Sequence, residues 1–246
     1  YALTIMDWRN IWIIISVAII LFLPMVSYFL VKEVKLSSRE NDTEVAKENI
    51  KQWKRSEVIK DYRFIIIALN MLAMPWIATG IFVYQSFILS AKNWGEYTIA
   101  QSFMVYSIAS VLTLFVAGYL IDKFTSRKLL IYMNIPFLIS LLILIYFQSP
   151  VSSFFFLGLI GVSNGFANVL GSSTWAELYG VKFIGSIKAL TTALMVFSTA
   201  LGTALFGLMI DFDFSIEQIS MISGGYILIS LILLFSIKNK LNPTIL

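Results

Sequence analysis

The stretch GYLIDKFTSRK, residues 118–128, separates two long apolar segments, residues 98–121 and 129–147. Each segment is close to the ~20 residues that a helix needs to cross the hydrocarbon core of a bilayer. Between them there is room only for a short turn, and short turns join antiparallel neighbours. The stretch therefore predicts two membrane-spanning helices joined by a loop that carries one acid and three bases.

Long apolar segments recur along the whole chain. Hydrophobic residues make up 59% of the chain and charged residues 13%, whereas soluble domains are about half apolar and about a quarter charged. The predicted fold class is therefore an all-α, polytopic transmembrane helix bundle. Its seven predicted spans are residues 9–31, 63–91, 98–121, 129–147, 153–175, 186–210 and 221–237.

The chain contains no cysteine and no histidine. A disulfide framework and a thiolate metal site are thereby excluded, and the usual near-neutral base is absent. No acid or base lies deep in any predicted span, so paired intramembrane carboxylates are absent too. We expect no catalytic residue, no metal and no cofactor, and no enzyme activity. The basic residues lie in loops, where membrane topology explains them better than nucleic-acid binding does.

The positions of lysine and arginine predict the orientation in the membrane. They concentrate in residues 32–62, in the 122–128 loop, at Lys182 with Lys188 close behind, and at residues 238–240. The alternate loops hold only Lys92. Basic loops stay in the cytoplasm, so we expect a cytoplasmic 32–62 segment and C-terminus and an N-terminus outside.

Residues 32–62 form the one long charged connection. Within it, apolar residues alternate with lysine and glutamate, which suggests a helix lying on the membrane surface. A solvated linker with partial helicity explains the composition equally well. The apolar residues in question are Val45, Ile50, Trp53, Val58 and Ile59.

The 118–128 stretch resembles the cytoplasmic loop signature of major facilitator superfamily transporters, G-x-x-x-D-[RK]-x-G-x-[RK]-[RK]. Residues 53–64 and 79–85 are similar to the lead-in and interior of the seventh helix in that family. Residues 175–211 resemble the tenth-to-eleventh helix region of prokaryotic members of the monocarboxylate and oxalate:formate branch. The implied location is a bacterial cytoplasmic membrane, crossed several times.

The resemblance implies a domain organisation. Residues 1–31 would be the last helix of an N-terminal half, residues 32–62 the cytoplasmic linker between halves, and residues 63–246 the C-terminal six-helix domain. The chain would then be a fragment that lacks the first five helices of a twelve-helix protein. Such a fragment is expected not to transport by itself.

The implied function is secondary active transport of a small organic solute by alternating access, with a carboxylate as one candidate substrate. The implied partners are a coupled proton or counter-substrate, the lipid bilayer and the missing N-terminal six-helix half. In the family picture the loop aspartate meets the positive end of a helix from the other half, while the loop bases hold and neutralise it. The candidate gate residues are Gly118, Asp122, Lys123, Arg127 and Lys128. A simpler interpretation is that they cap helices and obey the positive-inside rule.

The loop departs from the family signature at one position. Three residues after Asp122 the family has glycine, whereas this chain has Thr125. A left-handed backbone at this position would cost more with threonine than with glycine.

Polar and aromatic side chains at helical spacing predict a substrate cavity. Amides inside a bilayer face protein or water rather than lipid, and stripes of them recur on several predicted helices. Hydrogen bonding between helices would use the same residues, so both roles stay open. The candidate cavity residues are Asn70, Tyr84, Gln85, Tyr106, Asn164, Asn168, Ser172 and Trp175.

Two other classes of protein are alternatives to a transporter. A seven-helix receptor or sensor with an outside N-terminus agrees with the helix count and orientation. It gives no reason for the 118–128 loop, and the last span has no lysine before Lys238 to hold a retinal. A membrane-embedded enzyme would need paired acids, a serine–histidine pair or a histidine cluster, none of which this sequence offers.

Overall fold

A computed structural model describes residues 7–31 and 51–244, and of residues 26–31 it describes the backbone only. The chain divides into two compact units, Tyr1–Glu48 and Asn49–Leu246. In the first unit the described element is helix α1, Trp8–Val31. It contains Pro24, and most of its apolar side chains up to Met25 are exposed.

The second unit is a helical bundle. Its helices are α2 Arg55–Val58, α3 Tyr62–Val83, α4 Gln85–Lys92, α5 Glu96–Phe124, α6 Ser126–Tyr146, α7 Ser152–Tyr179, α8 Ile184–Asp211 and α9 Ile216–Ser236. Counting α1, seven helices among the described residues are long and apolar enough to cross a membrane. The predicted fold class is confirmed.

Helix α9 begins before its predicted span of 221–237. Ser215 caps it, since its hydroxyl accepts the backbone N–H of Gln218 at 3.3 Å while the Gln218 side chain accepts the Ser215 N–H at 2.9 Å. This reciprocal capping box satisfies two otherwise unpaired donors. It starts the helix at Ile216, in a polar stretch that hydropathy alone leaves outside the span.

Helix α3 is irregular at its proline. Residues Met74–Ala78 form a π-helical segment with Pro75 at its start, because proline cannot donate to the preceding turn and its ring crowds that turn. A second break follows at Tyr84, where φ is −100° and ψ is 28°.

Glycines bring helices of the bundle into backbone contact. A Cβ on Gly161 of α7 would collide with the Tyr106 carbonyl of α5, and one on Gly202 of α8 would collide with the Trp76 carbonyl of α3. Helix α7 therefore lies close along α5, and α8 lies close along the π-helical segment. Small residues permit this approach where helices pack inside membranes.

The segment that precedes α3 packs against other helices of the second unit. Val58 is fully buried in a core cluster with Phe64 and Leu178, and the Trp53 N–H donates to the Tyr179 carbonyl at 3.1 Å. Val58 therefore contacts protein rather than lipid or water, and the partial helicity predicted for the linker is present over Arg55–Val58. Ile59 is exposed. Val45 and Ile50 lie outside the described residues.

Candidate substrate cavity and the ion pairs at the basic face

A cavity of ≈ 220 Å³ lies among helices α3, α5, α7 and α8. Its wall is mostly apolar, with aliphatic and methionine side chains. The polar and aromatic groups that line it include Thr79, Tyr106, Asn164, Asn168, Trp175 and Thr191. No aspartate, glutamate, lysine or arginine contributes to the lining that the described residues form.

The structure brings half of the candidate cavity residues to this cavity. Four of them line it: Tyr106, Asn164, Asn168 and Trp175. The other four lie outside the lining: Asn70, Tyr84, Gln85 and Ser172.

The irregularity of α3 explains why Asn70 and Tyr84 do not share a face. An ideal helix at 100° per residue would bring the two side chains to one face, but the π-helical segment and the break at Tyr84 change the rotation per residue between them. Asn70 is fully buried and its amide donates to the Ser230 hydroxyl of α9 at 3.3 Å. The Tyr84 hydroxyl instead lies against Gly207 of α8.

Two amides of α7 give the cavity its hydrogen-bonding groups. The Asn164 amide donates to the Ser110 hydroxyl of α5 at 2.8 Å, which fixes its orientation. Asn168 is exposed in the cavity wall and makes no hydrogen bond with another described residue. One turn beyond Gly171, Trp175 is held by ring contacts with Phe64 and Tyr179 at 5.1 and 6.2 Å. The wall can therefore hold a solute by amide hydrogen bonds and ring contacts.

One end of the second unit carries nearly all its bases. We call this end the basic face and define it by residues 51–61, 122–128, 180–183 and 237–244, where α5, α7 and α9 end and α3, α6 and α8 begin. Among described residues of the unit, Lys92 is the base at the opposite end.

Arg127 and Glu177 form an ion pair at the basic face. Arg127 Nε lies 2.6 Å from Glu177 Oε1. The other carboxylate oxygen accepts the Ser126 backbone N–H at 2.9 Å and the Ser126 hydroxyl. Glu177 thus holds the first turn of α6, where a negative charge is favourable, and ties the 122–128 loop to the end of α7.

The expectation that Arg127 holds Asp122 is wrong for this conformation, because Glu177 occupies the guanidinium. Asp122 is exposed and makes no ion pair with a described residue. The sequence does not reveal that Glu177 pairs with Arg127, because the two residues lie on different helices. In the sequence, the feature that could have indicated this ion pair is an acid at the end of a helix close to the basic loop.

A second ion pair lies at the start of α3. Asp61 caps α3 by accepting the Arg63 N–H at 2.9 Å, and the Arg63 guanidinium lies 2.8 Å from its carboxylate. The Tyr179 hydroxyl donates to the same carboxylate at 3.2 Å. Asp61 is 8% exposed, so this pair is more buried than the Arg127–Glu177 pair.

The two arginines also hold the end of the described chain. Arg63 donates to the Asn242 carbonyl at 2.8 Å, and Arg127 donates to the Leu241 carbonyl and the Asn242 side chain at 3.1 and 2.9 Å. Leu241 is 2% exposed. Residues 238–244 therefore bridge the lead-in of α3 and the 122–128 loop.

Lys51 and Glu57 form an exposed ion pair in the lead-in to α3, at 3.0 Å. The Lys54 backbone N–H and the Lys51 ammonium stabilise the Glu57 carboxylate. Together they hold the pKa of Glu57 below its ordinary value.

Thr125 has an unusual backbone conformation in the 122–128 loop. Its φ is 71° and its ψ is 148°, a region that only glycine enters readily. The expected penalty of threonine at the glycine position of the signature is therefore present.

The opposite end of the unit holds one ion pair that the sequence did not reveal. Lys92 ends α4 with a fully buried side chain, and its ammonium lies 2.7 Å from Glu217 in the first turn of α9. Nearby, the Trp94 indole donates to the Gln148 carbonyl at 2.9 Å. In the sequence, the feature that could have indicated this pair is that Lys92 is a single base in a group of loops that otherwise lack bases.

Comparison with known proteins identifies the family. The family model of the Major Facilitator Superfamily matches residues 1–203 and again residues 65–245. The chain belongs to the major facilitator superfamily. It is therefore an integral, multi-pass membrane protein of a family of transporters rather than of enzymes, as the loop signature predicted. No curated protein and no solved structure matches it. The family match gives no support to the alternative of a seven-helix receptor or sensor.

Proposed function

We propose that the chain is the larger part of a secondary active transporter that moves a small organic solute across a cytoplasmic membrane by alternating access. The observation that carries the proposal is the cavity among α3, α5, α7 and α8, which offers amide and aromatic groups inside a transporter fold. Solute sites of such transporters lie within the membrane between two halves that rock about them.

The proposed domain organisation follows the sequence expectation. Residues 1–31 would be the last helix of the N-terminal half, residues 32–62 the linker and residues 63–246 the C-terminal half. The second match of the family model, over residues 65–245, supports treating this part as one half. Within the cytoplasmic membrane, the basic face would be the cytoplasmic end because bases favour that side.

The proposed solute contacts are Tyr106, Asn164, Asn168 and Trp175. Because this wall is uncharged, it would recognise its solute by amide hydrogen bonds and ring contacts. A carboxylate, as in the monocarboxylate and oxalate:formate branch, would need its positive countercharge from another part of the protein. A proton or counter-substrate would drive the cycle.

The proposed gate is the 122–128 loop. Arg127 and Glu177 would hold the loop in position, which leaves the exposed Asp122 available to the positive end of a helix from the other half. A contact made in one conformation and broken in the other biases a two-state transition.

The test uses the proposed twelve-helix protein that contains this chain as its C-terminal part. It compares the solute contents of cells that express this protein as wild type, Asn168→Ala or Trp175→Ala with those of cells that carry an empty vector. Ser173→Ala is a matched control, because Ser173 is on α7 outside the cavity lining and bonds to its own helix at Val169. We expect at least one small organic solute to change with wild type and Ser173→Ala but not with the cavity variants. Identical solute profiles for wild type and vector, or equal loss in Ser173→Ala, would refute the proposal.

A further inference from the structure

The wall that α3 contributes to the cavity includes the irregular part of this helix. Met74, Pro75 and Ala78 line the cavity, and all three belong to the π-helical segment. Pro75 has no N–H to donate to the turn before it. The position of this wall therefore depends on how the backbone of that preceding turn is held.

Side chains from three other parts of the bundle donate to carbonyls of the turn before Pro75. These donors are Tyr226 of α9 on Leu69 at 2.7 Å, Asn134 of α6 on Asn70 at 2.6 Å, and Ser198 of α8 on Leu72 at 3.3 Å. We call Asn134, Ser198 and Tyr226 the backbone clamp. None of the three lines the cavity.

The clamp is buried and is backed by direct helix contact. Asn134 is fully buried and Ser198 is 4% exposed, while the Tyr226 ring meets the Trp76 ring edge-on at 5.2 Å. On the same side, Gly202 brings α8 against the Trp76 carbonyl. Water is scarce at such a site, so a carbonyl that lost its donor would have few replacements.

We infer that Asn134, Ser198 and Tyr226 are positioning residues that hold the π-helical segment of α3 as a fixed wall of the cavity. They act through the α3 backbone and do not contact the solute. The kink at Pro75 is then a preset shape, and the wall moves only when these bonds break. Its relevance to solute binding rests on the proposed function.

The test uses single cysteines, because the chain has none of its own. Ala78→Cys reports on the clamped wall, and Asn168→Cys reports on the facing wall of α7. Each thiol is labelled with N-ethylmaleimide in the whole chain, with and without the double substitution Tyr226→Phe and Ser198→Ala. Each of these substitutions removes one hydroxyl.

Loss of the two hydroxyls should raise the labelling rate of Ala78→Cys about tenfold, which corresponds to ~1.4 kcal/mol in the equilibrium for opening the wall. The rate at Asn168→Cys should stay within about twofold. Ser198→Thr in place of Ser198→Ala restores a donor and should restore much of the slow rate. Ser220→Ala is the matched control, because this buried hydroxyl of α9 bonds only to its own helix, at Ile216, and should leave both rates unchanged.

An unchanged rate at Ala78→Cys would overturn the inference. An equal rise in the labelling rate of both thiols would also overturn it, because that indicates general loosening of the bundle. The same holds for a rise at Ala78→Cys that Ser198→Thr does not reverse. Labelling does not depend on transport, so the two proposals fail separately. A protein that shows the selective rise but alters no solute, even with its N-terminal half present, would refute the proposed function alone. Normal transport without the rise would refute the clamp alone.

Discussion

The two ends of the second unit are held in different ways. At the basic face, the Asp61–Arg63 and Arg127–Glu177 pairs join the lead-in of α3, the 122–128 loop, the end of α7 and residues 238–244. At the opposite end, the described residues form one ion pair, between Lys92 and Glu217. One end is a network of several chain segments, whereas the other joins two helix ends.

This difference indicates where rearrangement is costly. Opening the basic face requires several charge-assisted hydrogen bonds to break together, and such bonds are about twice as strong as neutral ones. Opening the other end requires only one pair to separate, and Glu217 is one-third exposed and can regain water. We expect substitutions at the basic face to have the larger effects on stability.

Asp61→Ala should have the largest effect. It removes the cap of α3 and leaves the Arg63 guanidinium, 12% exposed, without its partner, so the unfolding free energy should fall by about 3 kcal/mol. Thermal unfolding of the purified protein measures the change. Glu57→Ala is the control, since its exposed pair with Lys51 should leave the midpoint near wild type. Equal midpoints for the two variants would contradict the proposed network.

Glu177→Ala should rank second. It removes the ion pair with Arg127 and the acceptor for the Ser126 N–H and hydroxyl, at a cost of about 2 kcal/mol. Glu177→Gln keeps an acceptor for Ser126 and should lose about half as much. Thermal unfolding again provides the measurement. If glutamine and alanine were equally destabilising, the cap on Ser126 would contribute nothing.

Thr125→Gly should stabilise the protein. It relieves the positive φ in the 122–128 loop, and the gain should be about 1 kcal/mol after the extra chain entropy of glycine is subtracted. Thr125→Ala, which keeps a Cβ, should gain less in the same thermal unfolding assay. A lower midpoint for Thr125→Gly would show that threonine makes a contact worth more than the strain.

Lys92→Met should have the smallest effect. Methionine fills the buried volume of the lysine, and Glu217 can hydrate, so the unfolding free energy should change by less than about 1 kcal/mol. Glu217→Ala is the informative counterpart, because it leaves the fully buried Lys92 ammonium unpaired and should cost more. A large loss of unfolding free energy in Lys92→Met would show that the two ends of the unit do not differ in this way.

Hydropathy was sufficient to predict the seven membrane-spanning helices. The apolar segments become helices because no other structure satisfies a backbone in lipid so simply. Observed helix boundaries differ from the predicted ones where a capping side chain sets the start of the helix, as Ser215 does for α9.

The candidate site was less predictable because it depends on which helices are neighbours. Asn164 and Asn168 reach one cavity wall because α7 is regular between them. Asn70 does not reach it because its amide faces Ser230 of α9 instead. The partner of Arg127 was missed for a related reason, since Glu177 is distant in sequence and adjacent only after folding.

The most direct test of the central claim is two-sided labelling of Asn168→Cys in sealed membrane vesicles. A membrane-impermeant maleimide is added to one side at a time, with Arg127 intact or replaced by alanine. The account predicts labelling from either side, and an increase of about fivefold from the side of the basic face in Arg127→Ala, as expected when a partly exposed ion pair worth ~1 kcal/mol is lost. Labelling from neither side, or the same rate at the basic face with and without Arg127, would contradict it.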